Sequence, residues 1–206
     1  ESKTKDFWEK GMTGAEFIAR ALEYTAIKYV DELFDYSDVE KYIDVVSKRN
    51  EFLVENLIPD FISLSDLKFI LTSLVRERVS IKDITYIFEK MNDFAEESAK
   101  SDLLKKVRLA LARRICAQYA NEDGVISLIE ISDKTLDSFM PSFEEDEDFI
   151  IKIDGEFAEK LARKISKKSE QLGLDVPKIL VPMELRHLFF TLLSNYMNNI
   201  VVLTRE

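Results

Sequence analysis

The feature that most limits the fold is a change of hydrophobic period at Asn121–Gly124, the stretch NEDG. Ahead of it apolar residues recur at three-to-four spacing, and after it they come in short β-branched runs. In the first half, Thr13-x-x-Glu16, Ser37-x-x-Glu40 and Ser80-x-x-Asp83 have the spacing by which a hydroxyl and a carboxylate satisfy the orphan N–H groups of a first helical turn. Each predicts a helix start. The first helix is expected over 13–34, with Phe17, Ala21, Tyr24, Ala26, Ile27, Val30 and Phe34 as its core stripe. A second follows Ser37, and a third spans 50–57. IPDFIS interrupts the pattern because Pro59 cannot extend a helix and restricts Ile58. Ser65 is expected to cap DLKFILTSLVRE, Ser80 to cap IKDITYIFEKMNDFA, and Ser101 to open DLLKKVRLALARRICAQYA.

Beyond NEDG, read as a turn at Gly124, the runs 125–131, 149–153, 178–182 and 199–204 read as strands. They alternate with helical stretches near 132–140, 155–172 and 183–196. Such alternation implies parallel pairing through right-handed crossovers. The expected fold class is α+β with several subdomains: a compact helical one, then, from residue 121, a small α/β one with a mostly parallel sheet.

A chain of 206 residues can bury about 70% of its unfolded surface, so it needs no staple. Hydrophobic residues at 46% with only five Gly and four Pro exclude a disordered tail. The net charge of −10 repels phosphate backbones and anionic lipid, which counts against nonspecific nucleic-acid binding. One cysteine, Cys116, permits no internal disulfide, suits a reducing compartment and reads as a small buried thiol. No run reaches the roughly 18 apolar residues of a membrane span, so the segment reads as soluble. It opens without Met and closes on VVLTRE just after a strand pattern, which suggests a piece of a longer protein.

Chemistry-bearing patterns are few. His187, the one histidine, has no neighbours at ligand or triad spacing and reads as a partly exposed helix residue. EEDED, residues 144–148, lacks the central Gly and alternating ligands of a calcium loop and reads as a solvated loop. No glycine-rich phosphate loop or nucleophile elbow occurs. No catalytic residue, cofactor or metal site is therefore nominated, and the chain is not expected to be an enzyme. The strongest charge feature is Lys105, Lys106, Arg108, Arg113 and Arg114 on one predicted helix. At 100° per residue Arg108 lies apart from Lys106, Arg113 and Arg114, while Leu104, Val107, Leu111 and Ile115 form the apolar stripe.

The stretch 66–119, above all LVRERVSIKDITYIFEK, resembles the cytoplasmic region of the large export-gate subunit of type III secretion systems, the FlhA/LcrD family. The resemblance rests on Leu67, Ile70, Leu71, Leu74, Val75, Glu77, Val79 to Ile84, Ile87 to Glu89, Val107-Arg108, Ala110-Leu111 and Arg113. It leans to the flagellar branch. It implies an inner-membrane protein whose cytoplasmic domain of four subdomains assembles into a nine-membered ring and receives chaperone-bound substrates. Other partners it implies are the export ATPase complex and the other membrane subunits of the gate, with no nucleic acid among them.

On that resemblance, residues 1–34 are a remnant and closing helix of a preceding subdomain, 35–120 the helical subdomain, and 121–206 the α/β subdomain. Arg108 and Arg113 are nominated for an inter-subunit or inter-subdomain contact, with Glu77 and Asp83 as acidic partners. An ion pair inside its own domain is the other reading of Arg108. The alternative function is a helix-turn-helix nucleic-acid binder centred on residues 80–95, disfavoured because Lys82 and Lys90 there face Asp83, Glu89 and Asp93.

Overall fold

The computed structural model describes residues 13–96, 100–139, 144–145, 151–152, 155–174, 176–197 and 199–205. The chain divides into two compact units, Glu1–Arg113 and Arg114–Glu206. That division falls inside the helical segment before NEDG, ahead of the expected boundary at 121.

The first unit is helical: α1 (Gly14–Lys28), α2 (Val30–Leu33), α3 (Tyr36–Ser47), α4 (Phe52–Glu55), α5 (Leu64–Arg76), α6 (Ile84–Ala95) and α7 (Lys100–Ala110). Its core is filled by Leu67, Ile70, Leu71 and Leu74 of α5, Ile87, Phe88 and Met91 of α6, and Leu103 and Val107 of α7, all essentially inaccessible. Asn92 ties α6 to α4, its amide donating to the Leu53 carbonyl at 2.8 Å and its oxygen accepting from Asn56 at 2.8 Å.

Three expected helix starts move. The first of the capping boxes, Thr13 with Glu16, is present as predicted. The cap of α3 is Asp35, not Ser37: its carboxylate accepts from the Ser37 and Asp38 N–H groups, and Asp38 reaches back to the Asp35 N–H. Ser63 caps α5 through a box with Asp66, leaving Ser65 in the first turn. Ser80 gives way to Asp83, whose carboxylate accepts from the Tyr86 N–H at 3.4 Å. In each case an acceptor two or three residues away sits on extended or irregular backbone where its oxygen can face the helix. The expected single helix over 13–34 breaks at Tyr29, and of its stripe only Val30 is buried.

Leu111 separates α7 from α8 (Ala112–Tyr119), its N–H shared between the Val107 and Arg108 carbonyls. The second unit continues with β1 (Ile129–Glu130), α9 (Asp133–Phe139), β2 (Glu144–Glu145), β3 (Ile151–Lys152), α10 (Gly155–Gln171), β4 (Lys178–Val181), α11 (Met183–Ser194) and β5 (Val201–Thr204). The sheet β1-β4-β5 is parallel throughout, with Ile129 opposite Ile179 and Ile179 opposite Val202. Ala158, Leu161 and Ile165 of α10, Phe189 and Leu193 of α11, and Ile179 and Val181 of β4 form its core.

NEDG is a turn: Gly124 has φ +76°, and the Asn121 side chain accepts from the Asp123 and Val125 N–H groups. EEDED is not wholly a loop. Glu144 and Glu145 pair antiparallel with Lys152 and Ile151, which lie in the run 149–153 expected as a strand, and residues 146–148 lie outside the described ones.

Candidate functional site

Arg76, Glu77 and Arg78 close α5. The Val79 N–H donates to Leu74 O at 2.8 Å and the Arg78 N–H to Val75 O at 2.9 Å, the paired bonds of a Schellman turn. The turn needs a left-handed residue, and Arg78 takes that place with φ +59°. Val79 and Leu74 are both buried, as the apolar pair of this turn usually is.

From this end three successive side chains reach three other helices. Arg76 pairs with Asp31 of α2, whose carbonyl also accepts from the Lys68 ammonium at 3.2 Å. Arg78 pairs with Glu23 of α1 at 2.6 Å. Between them Glu77 pairs with Arg108 of α7, and these two residues are each only 8% exposed. The middle pair is thus desolvated and the flanking pairs are wet. Desolvating two charges costs several kcal/mol per ion, roughly offset by their mutual attraction, so the buried pair fixes geometry more than it adds net stability.

Of the four residues nominated from sequence, the structure brings together two. Arg108 and Glu77 form an ion pair inside their own unit, the second of the two roles kept for Arg108. Asp83 is engaged as the cap of α6. Arg113 is exposed in the first turn of α8. Sequence reasoning did not nominate Arg76, Arg78, Glu23 or Asp31. The signal available was a helix end with no glycine where the backbone must turn left.

Cys116 is exposed, against the expected buried thiol, because it lies one residue past buried Ile115 on the outer side of α8. His187 is exposed on α11. Among the described residues no three His, Cys, Asp or Glu side chains could together hold a metal, and no helix is long and apolar enough to cross a membrane. A cavity of about 190 Å³ lies at the carboxyl ends of the parallel strands, beside Asp133, Pro182, Glu184 and Arg205, and Arg205 is engaged by Glu130. It is smaller than the roughly 300–1,000 Å³ of small-molecule sites. The candidate recognition helix α6 turns Ile84, Ile87, Phe88 and Met91 into the core, and its Lys90 is paired with Asp93.

The arrangement is thus a structural junction, and comparison with known proteins gives it a context. The sequence profile of the FHIPEP family matches residues 5–206. The chain belongs to that family. This FHIPEP chain is 29% identical over 149 residues to the flagellar biosynthesis protein FlhA of Bacillus subtilis (strain 168), covering 71% of this chain and 22% of that protein. Its fold is similar to nonameric EPEC SctV-C, with a TM-score of 0.74 and 22% identity over 91% of this chain and 57% of that one. It is similar also to the Chlamydia pneumoniae CdsV structure solved with CdsO, with a TM-score of 0.74 and 22% identity over 98% and 62% of the two chains. The chain therefore spans less than two thirds of each of these relatives.

Proposed function

We propose that this FHIPEP chain is part of the cytoplasmic docking and assembly region of a type III protein export gate, at the inner face of the bacterial inner membrane. In this reading the whole protein forms a nine-membered ring that receives substrate-chaperone complexes. It works with the export ATPase complex and the other gate subunits, and the chain itself carries out no chemistry. The observation that carries the proposal is the family match over residues 5–206, joined to a fold that a nonameric relative shares. The flagellar branch is favoured because the Bacillus subtilis relative is a flagellar biosynthesis protein. The α1 helix would close a preceding subdomain, consistent with Ile18 and Leu22 standing 67% and 69% exposed on its outer side. A nucleic-acid reading has no support from α6, which carries Glu89 and Asp93 against Lys90, itself paired with Asp93.

Arg113 is the nominated contact residue, since it is exposed while Arg108 is committed to Glu77. Sedimentation of the longer protein that contains this chain should show oligomers that grow with concentration. Arg113→Glu should weaken them by about tenfold in dissociation constant, within the range of rim and interface charges, without lowering the thermal midpoint. Unchanged oligomers would remove Arg113 from the interface, and a monomer at every concentration would remove the ring.

A further inference from the structure

The α1 helix is attached differently from the helices around it. None of its fifteen residues is buried, whereas the twelve of α6 include five buried ones. Phe17, Tyr24 and Ile27 are half-buried, and Glu23 of α1 is ion-paired with Arg78 in the turn that follows α5. Arg78 holds a left-handed backbone, φ +59°, that glycine adopts freely and arginine does not. Glycine would make the same two turn-closing hydrogen bonds with less strain, as Gly173 does at the end of α10. What arginine adds over glycine is the side chain, and that side chain reaches Glu23.

We propose that Arg78 is an ionic latch: the strained turn at the end of α5 aims its guanidinium at Glu23, and loss of that bridge loosens α1 while the α5–α6–α7 core is unchanged. The turn requires the left-handed backbone but not an arginine in it, and strain kept where glycine would relieve it is the observation from which a device is inferred. A pair with Glu23 56% and Arg78 21% exposed is open to salt, and the buried Glu77–Arg108 pair beside it is not. The turn therefore carries a salt-sensitive and a salt-resistant bond on neighbouring residues.

Hydrogen exchange of the whole chain tests this, in the parent protein, Arg78→Gly and Glu23→Gln. Raising ionic strength from about 0.1 M to about 1 M shortens the screening length from about 10 Å to about 3 Å. In the parent this should speed exchange across Gly14–Lys28 by about two- to fivefold, the size a pair of this exposure carries, and leave Leu64–Ala95 unchanged. Both variants should show that faster α1 exchange already at low salt and respond little to more. Arg78→Gly should do so with a thermal midpoint equal to or above the parent's, a combination no ordinary loss of a contact gives. The latch is overturned if neither variant changes α1 exchange. It is equally overturned if Arg78→Gly lowers the midpoint and speeds exchange throughout the unit, because Arg78 would then be an ordinary structural residue.

Discussion

At the end of α5, the Val79 N–H reaches Leu74 O and the Arg78 N–H reaches Val75 O; at the end of α10, the Leu174 N–H reaches Ser169 O and the Gly173 N–H reaches Glu170 O. The two turns have the same bond pattern and the same left-handed pivot, φ +59° at Arg78 and +62° at Gly173. They differ in what the pivot residue does beyond turning the chain. Gly173 ends a helix locally, with the buried Ser169 hydroxyl donating to Leu174 O at 3.3 Å as an extra fastening. Arg78 ends a helix while fastening α1, and its neighbours fasten α2 and α7. One helix end is a punctuation mark and the other is a junction, and the left-handed arginine separates them.

The largest effect that distinguishes them lies in the middle of the junction. Arg108→Met should cost about 3–5 kcal/mol in chemical denaturation, because it leaves the Glu77 carboxylate dry and unopposed. Adding Glu77→Leu should recover most of that loss, since removing both charges also removes the desolvation cost. A loss from Arg108→Met of less than about 1 kcal/mol would place the pair among wet surface bridges and dissolve the contrast between the triplet's centre and its flanks. A smaller effect tests the pivots. Gly173→Ala should cost about 1–2 kcal/mol, the price of a left-handed non-glycine residue. If Gly173→Ala proved neutral, left-handed strain would carry nothing at either end, and the reading of Arg78 would lose its footing.

Much of this was legible in the sequence, and the misses have physical causes. The period change at NEDG foretold helices followed by a parallel sheet, because periodicity is set by which face each element buries. The helical wheel set Arg108 apart from Lys106, Arg113 and Arg114, which agrees with a buried, paired arginine beside exposed Arg113. Ser37 and Ser65 were expected caps because spacing alone does not say which of several hydroxyls and carboxylates lies on extended backbone. Asp35 and Ser63 do, with ψ near 180° and 165°. The left-handed turn was hidden for the opposite reason, since arginine is not a residue that announces it. The partners Glu23 and Asp31 lie 55 and 45 residues before the arginines they meet, distances that only the folded chain closes. The strand at 144–145 was hidden by its own acidic sequence, although its partner lies in the run 149–153 that was expected as a strand.

The smallest expected effect contrasts helix starts with helix ends. The starts of α1 and α3 are closed by carboxylates: Glu16 accepts from the Thr13 backbone N–H and hydroxyl, and Asp35 accepts from Ser37 and the Asp38 N–H. Those bonds hold Glu16 and Asp35 below their usual pKa values, and the Lys41 ammonium with the Asp35 N–H does the same for Asp38. A carboxylate whose folded pKa is depressed contributes stability that is present above its unfolded pKa and disappears as pH falls through the folded one. The contribution should therefore fade below about 4.5 for Glu16 and about 3.8 for the two aspartates. The ends of α5 and α10 are closed by backbone carbonyls, which do not titrate in this range. In an NMR titration, the amides of Glu16, Ser37 and Asp38 should move below those values while Val79 and Leu174 hold still. Simultaneous movement of both sets would mean that acid opens each unit as a whole, and that start and end are fastened with equal strength.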